Sequence, residues 1–278
     1  MNNSINISGT SFLLPKNEAW NVLTTSKKVK FSEYGDLINS TLNCNKNEYL
    51  ALVIFISDIY NLSAETKKLD KFNFKFIKIF LKTIEQRLNK TSLPTIISIS
   101  SWKNESLIRN AGRNTAHYKK VFNQIMLGLK KIQSIYPNLY IFNLDTQLSG
   151  EGMIKAFDSR NWYLAHCHLS VHGINVLAKS LFKIIERIEK PAKKVLVLDC
   201  DNTLWGGVIG EDHLSGIVIG QDGLGNAFSD FQYVIKKLGQ EGVIIALCSK
   251  NNEEDVLHVF SKHNSMILKK KDITAYKI

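Results

Sequence analysis

Residues 195–207 read VLVLDCDNTLWGG, four apolar residues running directly into Asp199-Cys200-Asp201-Asn202-Thr203. A short continuous apolar run such as Val195–Leu198 is expected of a parallel strand covered on both faces. The carboxyl end of such a strand is where open α/β sheets bind ligands. One residue separates Asp199 from Asp201, so a turn after the strand aims both carboxylates at one point. Held together they repel unless a cation lies between them, and Mg2+, a hard ion that takes oxygen ligands, is the simplest neutraliser. The pair also suits phosphoryl transfer: Asp199 attacks phosphorus to give an aspartyl phosphate, and Asp201 protonates the leaving oxygen and then activates water. Thr203 adds a hydroxyl and backbone donors beside the transferred group. The bland alternative is a strand-end turn capped by Asp.

Downstream, a Gly-rich segment over 205–225 leads to a helix expected over 227–240 and a second buried strand over 243–247. Ser249 follows that strand. Asn251 to Glu254 has the Asn-x-x-Glu form of a capping box, so a helix should open there and run to about His263. A phosphate bonded by the Ser249 hydroxyl would feel the donors and positive end of that helix, with charge added by Lys250. Ser249, Lys250 and Asn251 are therefore phosphate-binding candidates, although Ser249 alone also fits an N-cap. Trp205 reads as a packing residue beside the site and Cys248 as a small core residue.

Upstream, β-rich apolar runs recur at 5–8, 29–31, 50–56, 95–99 and 139–144 with amphipathic stretches between them, a βαβ rhythm. Phe76, Ile77, Phe80, Leu81 and Ile84 stand at helical spacing, the stripe of a helix covering a sheet. A later helix over 174–189 should end at Lys190-Pro191, because the residue before proline is pushed out of helical geometry. That gives two domains, 1–190 and 191–278.

A chain of 278 residues, 44% hydrophobic and 22% charged, has the size and composition of two globular domains. Residues 1–17 lack a signal-peptide pattern and the longest apolar runs are strand-length, so a cytoplasmic protein without membrane contact is expected. Cys44, Cys167, Cys200 and Cys248 show no metal-ligand spacing and read as free thiols. The net charge of +11 favours anionic partners. No RNP aromatics, zinc finger or recognition helix is present, so nucleic acid is not the expected partner.

The DxDxT pattern at Asp199, followed by Leu204-Trp205, a Gly-rich segment, a helix and strand-Ser249-Lys250-Asn251, resembles motifs I and II of the haloacid dehalogenase (HAD) superfamily. The fuller wording, VLDCDNTLWGGVIGEDHLSGIVIGQDGLGNAFSDFQ and then LCSKNNEEDV, is similar to the FkbH-like branch, subfamily IIIC. The resemblance implies nucleophile and acid/base roles for Asp199 and Asp201, Mg2+ as cofactor, and a phosphate-binding Ser249, with residues 206–225 as the segment that gates the site. It implies a small phosphorylated metabolite as substrate. Members of the branch take a glyceryl group from 1,3-bisphosphoglycerate, hold it on a cysteine and pass it to an acidic acyl carrier protein. Val208 and Ile209 stand where some members have that cysteine, and His213 stands where the family has Gly. The sequence given stops at DITAYKI, before the motif III Lys and motif IV acids, so a partial HAD domain is expected.

The resemblance extends over 1–190 to an SGNH-hydrolase-like domain. Its Gly-Asp-Ser, Asn-Asp and Asp-x-x-His signatures are met here by Gly9-Thr10-Ser11, Ser57-Asp58 and Ala165-His166-Cys167-His168. The Asp expected to orient His168 is absent. The fold expected is α/β: two three-layer αβα domains, SGNH/flavodoxin-like and then partial HAD Rossmann-like. Three functions follow: a phosphatase or acyl(glyceryl)-transferase, a non-catalytic binding module, or an esterase acting through Ser11 or Ser8 with His168.

Overall fold

The computed structural model describes residues 4–25, 27–63, 74–101, 115–190 and 192–278. Pro191, the residue expected to stop the preceding helix, lies outside them. The chain divides into two compact units, Met1–Glu189 and Lys190–Ile278. No helix among the described residues is long and apolar enough to cross a membrane.

In the first unit, β1 (Ile5–Gly9), β2 (Val29–Phe31), β3 (Tyr49–Phe55), β4 (Thr95–Ser100) and β5 (Leu139–Asn143) form an all-parallel sheet in the order β2-β1-β3-β4-β5. Strand β3 is wholly buried because it lies between neighbours and under helices on both faces. Its side chains alternate accordingly. Ala51, Val53 and Phe55 join Ile174, Leu177 and Leu181 of the helix Val171–Glu189. Leu50, Leu52 and Ile54 join Ile77, Phe80 and Ile84 of the helix Lys75–Lys90 and Val121 and Ile125 of the helix Thr115–Gln133. The result is the layered αβα arrangement expected, with the helical stripe of Ile77, Phe80 and Ile84 turned inward. The strand order reverses between β1 and β3, which places a ligand crevice at their carboxyl ends.

In the second unit, β6 (Val195–Leu198), β7 (Ile244–Cys248) and β8 (Ala275–Lys277) are parallel in the order β6-β7-β8. Leu198, Ile245 and Leu247 share a core with Ile235 of the helix Gly223–Gln240 and with Val256, Val259 and Phe260 of the helix Glu253–Lys262. Expected to be covered on both faces, β6 is not: Val195 is 52% exposed, Val197 59% and Ile244, opposite Val195 in register, 44%. Among the described residues β6 is an edge strand, and the helices joined to it and to β7 bury only the alternate side chains. Two element boundaries also shift. The helix expected from residue 227 starts at Gly223, where Gly225 lies against the backbone of Gly220 so closely that a Cβ would meet its nitrogen at 2.9 Å. The helix expected to open at Asn251 is capped one residue later, by Asn252, whose Oδ1 accepts from Glu254 N at 3.1 Å.

One polar side chain ties this unit together. Gln232 is fully buried; its Nε2 donates to Leu204 O at 2.7 Å, and its Oε1 accepts from Ile267 N at 3.0 Å and Leu268 N at 3.1 Å. It thus joins the turn after β6 to the segment before β8. Replacing Gln232 by Leu keeps the volume but strands three backbone groups, and buried groups left unpaired cost about 1–3 kcal/mol each. The expected loss is about 3 kcal/mol or more, read as a lower midpoint in urea unfolding with an unchanged slope; an unchanged midpoint would show that the tie is idle.

Candidate active site

The chain leaves β6 through a tight turn. Thr203 N and Leu204 N both donate to Cys200 O, at 3.2 and 2.8 Å, and Asn202 takes the left-handed conformation at φ 53° while its Oδ1 accepts from Gly207 N at 3.0 Å. The turn therefore uses the Thr203 N–H that was expected to face a ligand. It holds Asp201 by two bonds: Oδ1 accepts from Trp205 Nε1 at 2.9 Å and from Ile209 N at 3.2 Å. Trp205 is fully buried, edge-on to Phe260, so the anchor of Asp201 is itself fixed. Asp199 is exposed, its Oδ1 accepting from Cys200 N at 2.7 Å. The second oxygen of each carboxylate has no partner among the described residues.

The expected Gly-rich segment closes on itself. Gly206 and Val218 exchange backbone bonds at 2.9 and 2.8 Å around the short helix Ile209–Gly216. Asp212 caps that helix by accepting from Val208 N at 2.8 Å. Gly207, at φ 95°, is required there because a Cβ would meet Asp212 Oδ2 at 2.6 Å. His213 interrupts the helix at φ 59°, ψ −179°, a region that is essentially glycine-only.

Leu198 and Leu247 are register partners, so Asp199 and Ser249 leave adjacent strands at the same edge of the sheet. Between them Cys200 is fully buried; burial, reinforced by the two neighbouring carboxylates, pushes its thiol up to about 12. Ser249 N–H donates to Lys277 O at 3.1 Å. Lys250 is exposed. Asn251, not the cap it was expected to be, keeps its Nδ2 buried without a partner among the described residues, an amide donor left over at this edge. Cys248, read from sequence as a core residue, is exposed, because it falls on the uncovered face with Ile244. Gln232 was not singled out by sequence, although it closes the motif quoted there. Among the described residues no three His, Cys, Asp or Glu side chains gather in a metal-binding group.

The SGNH-type candidates of the first unit meet at the crevice between β1 and β3. His168 Nε2 lies 2.7 Å from Asp58 Oδ1 and 3.4 Å from Ser57 Oγ. The sequence shows no acid ahead of His168 to orient it; the fold supplies Asp58, from the first turn of the helix Ile56–Ser63 that follows β3. Ser8 is turned away, bonded to Ser40 Oγ at 3.0 Å.

No protein-family model and no curated protein matches the chain. Among solved structures, it is similar over 99% of its length, at 23% identity and a TM-score of 0.77, to 76% of a crystallised chain described as the N-terminal part of the protein BF1531 from Bacteroides fragilis, containing a phosphatase domain complexed with Mg. A second likeness, to LAE5, an alpha/beta hydrolase enzyme from the metagenome of Lake Arreo, Spain, spans 68% of this chain and 97% of that one at 8% identity and a TM-score of 0.45. The first likeness carries the fold alone, α/β with parallel sheets.

Two outcomes are expected. Iodoacetamide should label Cys248 well before Cys44, Cys167 or Cys200, all three buried and with thiols shifted upward by burial; peptide mass mapping over time checks the order. Replacing His213 by Gly should stabilise the chain by about 1 kcal/mol, since non-Gly residues in such regions cost roughly 1–3 kcal/mol, visible as a raised melting temperature.

Proposed function

We propose that residues 191–278 carry the Asp199 and Ser249 elements of a Mg2+-dependent, HAD-type phosphoryl-transfer site acting on a small phosphorylated metabolite through an aspartyl phosphate at Asp199. The observation that carries this reading is the contrast between the two carboxylates on one turn. Asp201 is held by Trp205 and Ile209, while Asp199 stands exposed at the strand end with an oxygen to spare. A nucleophile needs access and an acid/base group needs a fixed aim.

The donor set fits Mg2+: two carboxylates with open oxygens at one turn, since this ion keeps several waters and takes one or two protein carboxylates with substrate phosphate. Asp199 and Asp201 would hold it, and when bound it neutralises charge gathering on the phosphoryl oxygens. The phosphatase domain with Mg described for the similar Bacteroides fragilis structure is in keeping with this. Asp199 Oδ2 is the attacking atom. Asp201, its Oδ1 bonded, has Oδ2 to pass a proton to the leaving oxygen and to take one from water. Thr203, Lys250 and Asn251 supply hydroxyl, charge and the spare amide toward phosphate, with Ser249 beside them.

The finer FkbH-like reading, transfer of an acyl or glyceryl group to an acidic carrier protein, draws on the net charge of +11. Cys200, fully buried and with its thiol shifted upward by burial, is not the thiol of such a step. A non-catalytic binding module is the second reading, favoured by the two-carboxylate metal set and the open face of β6.

Incubation of the chain with Mg2+ and acetyl phosphate should give a phosphoryl adduct on Asp199 that hydroxylamine removes, and Asp199→Asn should abolish it. Turnover of phosphate esters that Asp199→Asn leaves unchanged would defeat the catalytic reading; a folded wild-type chain that never forms the adduct would favour the binding module.

A further inference from the structure

The helix Gly223–Gln240 carries two stripes, and the second unit uses one of them. Gly225, Ser229, Gln232 and Ile235 are buried against the rest of the unit. Leu224, Ala227, Phe231, Val234 and Leu238 follow one another at spacings of three and four on a flank about a third of a turn away, since each residue advances the helix by about 100°. Most of that flank is open: Leu224 is 77% exposed, Val234 57% and Phe231 40%, and Ala227 is exposed as well. Apolar residues scattered singly over a surface are ordinary, whereas a continuous stripe marks a contact. This one has the period of a coiled-coil seam, with Leu224, Phe231 and Leu238 in one row and Ala227 and Val234 in the other.

The charges beside the seam decide what fits it. Asp230 immediately precedes Phe231 and Lys237 immediately precedes Leu238, so both lie along the same border of the stripe; both are exposed, and neither has an ion-pair partner among the described residues. They stand seven residues apart, roughly 10 Å along the axis, and so are not neighbours on one helix. Against an antiparallel copy of the same helix the order is reversed. With Phe231 opposite Val234 of the second copy, Asp230 comes beside Lys237 of that copy, and the twofold relation repeats the pair. A parallel copy would instead bring each charge level with its own duplicate.

We propose that this stripe is the contact between two copies of the chain, packed antiparallel about a twofold axis, with Phe231 and Val234 at the centre and an Asp230–Lys237 pair on either side of the axis. A twofold contact has to be self-complementary, and a border that carries an acid and a base in this order meets that condition. Charges flanking a seam set partner choice and orientation. One helical seam is small beside the interface of a permanent complex, so the dimer is reversible and dissociates on dilution.

Sedimentation velocity of the full chain over a concentration series tests this. The expected mass rises with concentration from one chain to two. Phe231→Asp should raise the dissociation constant by about 100-fold or more, because unpaired carboxylates would be buried in the seam. Asp230→Lys alone, and Lys237→Asp alone, should each raise it by about tenfold, since each turns two attractive pairs into two repulsive ones. The double exchange should return it to within about twofold of the wild type. All three positions are exposed, and circular dichroism reads the fold of each variant separately. A folded wild-type chain that stays single at every concentration overturns the dimer. A dimer that folded Phe231→Asp leaves unweakened overturns the seam, and a double exchange that fails to restore association overturns the antiparallel order.

Discussion

A carboxylate that accepts two hydrogen bonds from a fixed frame cannot swing, and the second unit is arranged around one such group. Asp201 Oδ1 is held by the indole of a fully buried Trp205 and by the backbone of Ile209. These two bonds fix the turn after β6 and the start of the short helix that follows. Gln232 clamps the same turn from below through Leu204 O. The neighbouring Asp199 is left accessible, so two otherwise identical groups on one turn differ in freedom, which is the observation the proposed phosphoryl-transfer reading rests on.

The period of the strand produces the asymmetry. Leu198 and Cys200 alternate into the core, while Val195, Val197 and Asp199 alternate outward. The same geometry that exposes Asp199 buries the thiol beside it, and burial moves that thiol upward. It also puts Val195, Val197 and Ile244 on an uncovered apolar face, which parallel sheets usually hide. That open face is the observation on which the binding-module reading rests.

In the first unit the decisive contact joins residues 110 positions apart. Asp58 and His168 meet because β3 delivers its carboxyl end to the strand-order reversal and the loop before the helix Val171–Glu189 returns there. The histidine is oriented by an acid that no local pattern around it contains.

Local pattern made legible the βαβ rhythm, the buried stripe of Ile77, Phe80 and Ile84, and the turn bearing Asp199 and Asp201, because strand period, helix period and turn chemistry are written in neighbouring residues. The motif's wording also carried the HAD-like reading. It left open which face of β6 is covered, that Cys248 is exposed, and that Gln232 bridges two distant segments. It also left open the partnership of Asp58 with His168. Each of these depends on which side of a strand meets another element, or on side chains far apart in sequence sharing one buried site. Only the tertiary structure decides that, because burial and hydrogen-bond pairing are properties of the packed arrangement and not of the local chain.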